Sequence, residues 1–167
     1  MSHHAPVLPR YGEGSLSDII PFLCSPARRT TVPSWMPSLV DGAERVVLLL
    51  IDGLGWNQLT ARPQIAPVIS SMVGGPITSV APSTTATALT SLTTGLTPGE
   101  HGLIGYRMDM GGAVMNTLRW GDGRNDLRRE YPPRQVQPCP PFLGSSVPVI
   151  SMADKEGDRK STRLNSS

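Results

Sequence analysis

The hydrophobic residues of this chain are concentrated in one uninterrupted run about a third of the way along. Residues 45–51 read RVVLLLI, and Asp52 and Gly53 follow directly. A continuous apolar run of this length is typical of a parallel strand covered on both faces, whereas strict alternation would indicate a half-exposed strand. We therefore predict a central strand at 45–51 and a turn at Asp52-Gly53.

The neighbouring segments alternate between helical and strand-like patterns. Ser83 or Thr84 is a suitable N-cap for the helix beginning at residue 85, and Gly95 is suited to the position just past its end. Strands that alternate with helices indicate an α/β fold with a central, mostly parallel sheet flanked by helices. The predicted helices are 15–23, 57–61, 67–72 and 85–94, and the further strands are 77–81 and 147–152. A β-hairpin is predicted from 104–108 and 113–118 around the turn sequence DMGG.

Three regions differ in composition. Residues 1–44 form a Pro-rich N-terminal segment, 45–153 carry the α/β pattern, and 154–167 are polar and without periodicity. The last region begins where the next helix of an α/β domain is expected, because parallel strands need a crossover connection. We therefore predict that the domain is cut short and that 160–167 are not native sequence; a genuine disordered tail is the alternative.

Composition and charge point to no special partner. The chain has 167 residues, which is enough for one domain with a sizeable core. Its net charge of +2 is too small to indicate a particular charged partner. The N-terminus lacks the pattern of a secretory signal, and the longest apolar run is too short to span a bilayer. We expect a cytoplasmic protein with no membrane segment and no nucleic-acid-specific binding.

Candidate chemistry lies at the ends of two predicted strands. Asp52 follows the strand at 45–51, and Thr85 opens the helix that follows the strand at 77–81. Ligands of open α/β sheets bind beyond the carboxyl ends of strands. A threonine hydroxyl becomes a nucleophile beside a base, a metal or a positive field, and a helix N-terminus and a cation held by Asp52 supply two of these. The simpler alternative is a turn aspartate and a helix cap.

Three sequence motifs together resemble the type I phosphodiesterase / nucleotide pyrophosphatase family of the alkaline phosphatase superfamily. These motifs are VLLLIDG at 47–53, PSTT at 82–85 and TGLTPGEHG at 94–102. The resemblance covers about residues 45–108 and identifies the chain as an N-terminal part of an alkaline-phosphatase-like domain. It implies a metal-dependent hydrolase acting on small-molecule phosphoesters, of the phosphodiester or pyrophosphate type.

The resemblance also implies the contents of the site. Two divalent metal ions, usually zinc, are bridged by the substrate phosphate. Asp52 is a ligand of one metal, and Thr85 is both a ligand of that metal and the nucleophile. Thr84 takes these roles if the register is shifted by one residue. His101 lies in the third motif, where a buried, hydrogen-bonded structural histidine is expected.

Two departures from the family pattern matter. The family places an asparagine three residues after the nucleophile, where this chain has Ala88. The family's remaining Asp and His ligands lie beyond the nucleophile, where this chain has His101 as its sole histidine. Two complete catalytic metal sites need more ligands. Two alternatives therefore stay open: a phosphomutase-like member of the superfamily, or a catalytically incomplete fragment or binding domain.

Overall fold

The computed structural model describes residues 6–24 and 31–151. These ranges contain six short α-helices and one two-stranded antiparallel sheet. The helices are α1 (Leu16–Cys24), α2 (Trp56–Ala61), α3 (Pro67–Ser70), α4 (Thr85–Thr94), α5 (Pro98–His101) and α6 (Pro133–Val136). The strands are β1 (Arg107–Asp109) and β2 (Val114–Asn116), and short 3-10 turns lie at Ser38–Val40 and Pro141–Gly144.

Helix α4 is held in place by helix α1. Ile19 and Ile20 of α1 and Leu92 of α4 form one buried apolar cluster. The start of α1 is fixed by Asp18, whose carboxylate accepts hydrogen bonds from the N–H groups of Gly14 at 3.0 Å and Ser15 at 2.7 Å. These bonds satisfy donors that a helix N-terminus leaves without intrahelical partners. The α1–α4 pair is thus the support for the predicted nucleophile.

A second apolar cluster lies under the hairpin. Met115 of β2 is fully buried and packs with Leu103, Trp120 and Leu127. The Trp120 indole N–H donates to the carbonyl of Tyr131 at 2.7 Å. The predicted hairpin is confirmed, although its strands are shorter than expected. Asp109 belongs to β1 and pairs with Val114, so the turn is formed by residues 110–113, one residue later than predicted.

The predicted helices are confirmed in position. α1, α2, α3 and α4 begin within one residue of the predicted starts, and α3 ends two residues early. Gly95 ends α4 in the left-handed conformation, with φ of +74°. Thr84 is the N-cap by backbone conformation, but its side chain makes no capping hydrogen bond. The structure therefore selects Thr84 over Ser83 and leaves the first turn of α4 without a side-chain cap.

The strands predicted for the central sheet, unlike those of the hairpin, are not formed in the described residues. The ranges 45–51 and 147–151 carry no strand, and within 77–81 one isolated parallel bridge joins Thr78 to Ser15. The predicted central parallel sheet is therefore not shown, and residue 152 lies outside the described ranges. A strand needs a neighbouring backbone for its hydrogen bonds, and the described residues provide none for 45–51. The side chains of this run are correspondingly exposed: Val47 is 92% exposed and Leu49 is 71% exposed.

The polar tail lies outside the described residues. The boundaries predicted at 44 and 153, the interpretation of 154–167 as a separate tail and the non-native origin of 160–167 all stay predictions.

The close approach of α4 to α1 predicts a sensitive position at Gly95. A Cβ atom there would overlap the ring of Pro21, in addition to occupying a positive φ. Gly95→Ala should therefore lower the free energy of unfolding by roughly 2–4 kcal/mol. Urea unfolding followed by circular dichroism measures this loss.

Gly99→Ala is the matched control. Gly99 lies within α5, and a Cβ atom there meets nothing within 4 Å. Its replacement should leave stability within about 1 kcal/mol of the parent, on the stabilising side. Equal effects of the two substitutions would show that α1 and α4 do not approach as closely as described.

Candidate active site

Thr85 is the first residue of α4, and this position leaves its hydroxyl available. Farther along the helix, Thr90 and Thr94 donate their hydroxyls to carbonyls one turn earlier, at 2.8 and 2.7 Å. A residue in the first turn has no preceding helical turn to bond. The Thr85 side chain instead reaches a residue from a different part of the chain.

That residue is Asp52. The Thr85 Oγ1 hydroxyl donates to Asp52 Oδ2 at 3.3 Å, across 33 residues of sequence. The bond is long for an O–H···O contact, as is common for catalytic contacts before substrate binds. Asp52 is exposed and Thr85 is half-buried. The structure thus brings together the two residues that the sequence selected, while their chemical roles stay predictions.

The hydroxyl of Thr84, next to Thr85 at this helix end, is paired with a buried hydroxyl. Thr84 Oγ1 lies 2.9 Å from Thr87 Oγ1, and Thr87 is fully buried. This pairing removes Thr84 from the exposed surface that Asp52 and Thr85 share. The geometry therefore favours Thr85 over Thr84 as the residue that meets a ligand.

His101 has the structural surroundings that the sequence predicted. It is buried, and its Nε2 lies 2.8 Å from Ser91 Oγ of α4. The N–H of Leu103 donates to His101 Nδ1 at 3.1 Å, so the ring proton lies on Nε2 and is donated to Ser91. Burial lowers the pKa of His101 below its ordinary value because it disfavours the charged imidazolium. His101 therefore connects α5 to α4 through its hydrogen bond with Ser91.

The described residues fit only part of a metal site. Asp52 and Thr85 offer two adjacent oxygen atoms, which suit one divalent cation. In residues 6–24 and 31–151, no three His, Cys, Asp or Glu side chains lie close enough to hold one ion. The two-metal centre implied by the resemblance is therefore not fitted by these residues.

Sequence reasoning missed the apolar surroundings of the pair. Asp52 and Thr85 both line a cavity of about 570 Å³, whose walls include Trp56 and Leu89. Helical periodicity offered one signal, since Leu89 follows Thr85 by four residues and so lies on the same face of α4. The sequence favours core or edge packing over contact with a substrate group for both Trp56 and Trp120. Trp120 packs in a core, whereas Trp56 is 42% exposed and lines the cavity.

Comparison with known families agrees with the motifs. The model of the type I phosphodiesterase / nucleotide pyrophosphatase family matches residues 46–164, well over half of the chain. The chain belongs to this family. Its members are phosphoester hydrolases of the phosphodiesterase and pyrophosphatase type and generally depend on divalent metals. No curated protein and no solved structure matches the chain.

None of the helices within residues 6–24 and 31–151 combines the length and the apolar character needed to cross a bilayer.

The lowered pKa of His101 predicts a pH dependence of stability. Above the unfolded-state pKa, about 6.5, both states are neutral at this ring and its stabilising contribution is complete. As the pH falls, the unfolded chain binds the proton first, so the native state loses stability down through the folded-state pKa. The urea concentration at the unfolding midpoint should decrease as the pH is lowered from 7.5 to 5.5.

His101→Gln is the control, since it removes the titrating ring and keeps His3 and His4. The variant should be less stable at pH 7.5 and should lose most of the slope in this window. A slope as steep as in the parent chain would assign the pH dependence to other groups.

Proposed function

We propose that this site hydrolyses phosphodiester or pyrophosphate bonds with Thr85 as the nucleophile. The observation that supports this most directly is the contact between Thr85 Oγ1 and Asp52 Oδ2. It joins a hydroxyl at a helix N-terminus to a carboxylate that is distant in sequence. Membership of a phosphoester hydrolase family supplies the reaction class.

The nucleophilic step uses groups already in contact. Thr85 Oγ1 attacks phosphorus and forms a new P–O bond while the bond to the leaving group breaks. The hydroxyl proton is directed towards Asp52 Oδ2, the acceptor of its hydrogen bond. Water then cleaves the phosphothreonine, which releases the phosphoryl product and restores Thr85.

Helix α4 supplies a field for the developing charge. Its N-cap, Thr84, makes no side-chain capping bond, so the N–H groups of the first turn stay open to an anion. Free N–H groups and the positive end of the helix dipole stabilise negative charge on phosphoryl oxygens. Asp52 and Thr85 would hold a divalent cation, which in such sites lowers the cost of forming the alkoxide.

The assignment of Thr85 predicts a large loss on removing one oxygen. Thr85→Val should reduce hydrolysis of bis(4-nitrophenyl) phosphate, assayed with added Zn²⁺, at least about 1000-fold. The size of the side chain is preserved, so the far-ultraviolet circular dichroism spectrum should not change. Thr85→Ser keeps a hydroxyl and should retain measurable turnover.

Thr93→Val is the matched control on the same helix. Thr93 donates to the carbonyl of Leu89 and does not contact Asp52. Its replacement should leave turnover near the parent rate. Near-normal turnover in Thr85→Val would eliminate Thr85 as the nucleophile.

The proposed role of Asp52 predicts a change in cation affinity that needs no turnover assay. Asp52→Asn should weaken Zn²⁺ binding, measured by isothermal titration calorimetry, at least about tenfold. Asp41→Asn replaces an exposed aspartate elsewhere and should not change the affinity. Equal affinities of Asp52→Asn and the parent chain would remove Asp52 from the proposed cation site.

A binding domain without turnover is the second candidate function. It is favoured by the lack of a three-ligand cluster in the described part of the chain. A purified chain that holds no zinc and hydrolyses no phosphoester would support it. Transfer of phosphate between two positions of a sugar phosphate would instead support the phosphomutase alternative.

A further inference from the structure

The cavity beside Asp52 and Thr85 has the size of a small-molecule site. Its volume is about 570 Å³, within the range of ligand pockets, roughly 300–1,000 Å³. Most of the wall is apolar and includes Leu49, Leu54, Trp56 and Leu89. Thr85 lies on its edge, so a group bonded to a phosphorus atom at Thr85 Oγ1 can extend into it.

The wall is also almost free of charge. Among the described residues that line the cavity, Asp52 is the one charged residue, and no lysine, arginine or histidine is present. A second phosphate entering this space would lose hydration, and the lining offers no lysine, arginine or histidine side chain to compensate its charge. An uncharged hydrocarbon group would instead replace water against apolar surface.

Two side chains have exposed surface that such a group would cover. Trp56 is 42% exposed and Leu89 36% exposed. Leu89 lies one helical turn after Thr85, and Trp56 opens α2 four residues after Asp52. The cavity that Asp52 and Thr85 line therefore also carries two apolar side chains that water contacts.

We infer that the site takes phosphodiesters whose ester group is uncharged and apolar, aryl or alkyl, and that this group lies between Trp56 and Leu89. The cavity discriminates against diphosphates, whose second phosphate carries charge into it. This inference rests on the proposed function for the position of the phosphoryl group.

Three small phosphoesters separate the effect of the phenyl group on binding from the effect of a second negative charge. Methyl phenyl phosphate and dimethyl phosphate carry one negative charge each and differ in the phenyl group, while P1,P2-dimethyl diphosphate carries a second charge. Binding to the full chain is measured by titration calorimetry or by ligand-observed NMR. Methyl phenyl phosphate should bind at least about tenfold tighter than either of the others. Equal or tighter binding of the diphosphate would overturn the inference.

Variants locate the phenyl group. Leu89→Gln and Trp56→Ala should each reduce the preference for methyl phenyl phosphate over dimethyl phosphate several-fold. Leu39→Gln, at a leucine that is 76% exposed and does not line the cavity, should leave the preference unchanged. A preference that survives both cavity variants would place the phenyl group elsewhere.

Sedimentation at the same concentrations tests whether a second copy of the chain fills the cavity. Dimers that block binding would also overturn the inference.

Thr85→Val distinguishes this inference from the proposed function. Normal turnover in that variant would defeat the nucleophile assignment, while a retained preference for the phenyl ligand would still support the apolar subsite. Conversely, turnover that depends on Thr85, together with a phenyl preference that Leu89→Gln does not alter, would defeat the subsite alone.

Discussion

The packing of α1 against α4 is the interaction on which the candidate site depends. Ile19 and Ile20 contact Leu92, and Pro21 approaches Gly95 so closely that a methyl group has no room there. This contact fixes the axis of α4. Because Thr85 is the first residue of that helix, its hydroxyl is positioned by packing that lies about two to three turns away. His101 adds a second attachment from α5 through Ser91, on the same helix.

The hydrogen bond from Thr85 to Asp52 is a consequence of where the helix begins. Each interior threonine of α4 with a described hydroxyl bond to the backbone uses a carbonyl of the preceding turn, which leaves little to offer a ligand. At the first turn that carbonyl is missing, and Thr84 directs its own hydroxyl inward to Thr87. The position combines a hydroxyl that is not bonded to the helix backbone, open backbone N–H groups and a neighbouring carboxylate, which together suit an anionic phosphoester better than any one of them alone.

The elements that sequence predicted well are those whose signals are local. The end of α4 at Gly95, the start of α1 near Ser15 and the turn between β1 and β2 each depend on a few consecutive residues. The strand at 45–51 failed because its apolar pattern specifies a preference, whereas a strand also needs partners that are distant in sequence. For the site, motif spacing selected Asp52 and Thr85, but the cavity beside them was not predictable. Its walls come from the run before Asp52, from α2 and from α4, and only the fold brings these together.

The two halves of the candidate site consequently differ in how firmly they are held. Thr85 lies on a helix packed against α1 and fastened to α5. Asp52 follows the run 46–51, which makes no backbone hydrogen bond to any other described residue and exposes its side chains. Catalytic groups must be held within about half an ångström of their productive positions. The long Thr85–Asp52 contact is consistent with this difference, because its acceptor lies on the less supported segment. Precision at the site therefore depends more on how the run 46–51 is supported than on the helix that carries the proposed nucleophile.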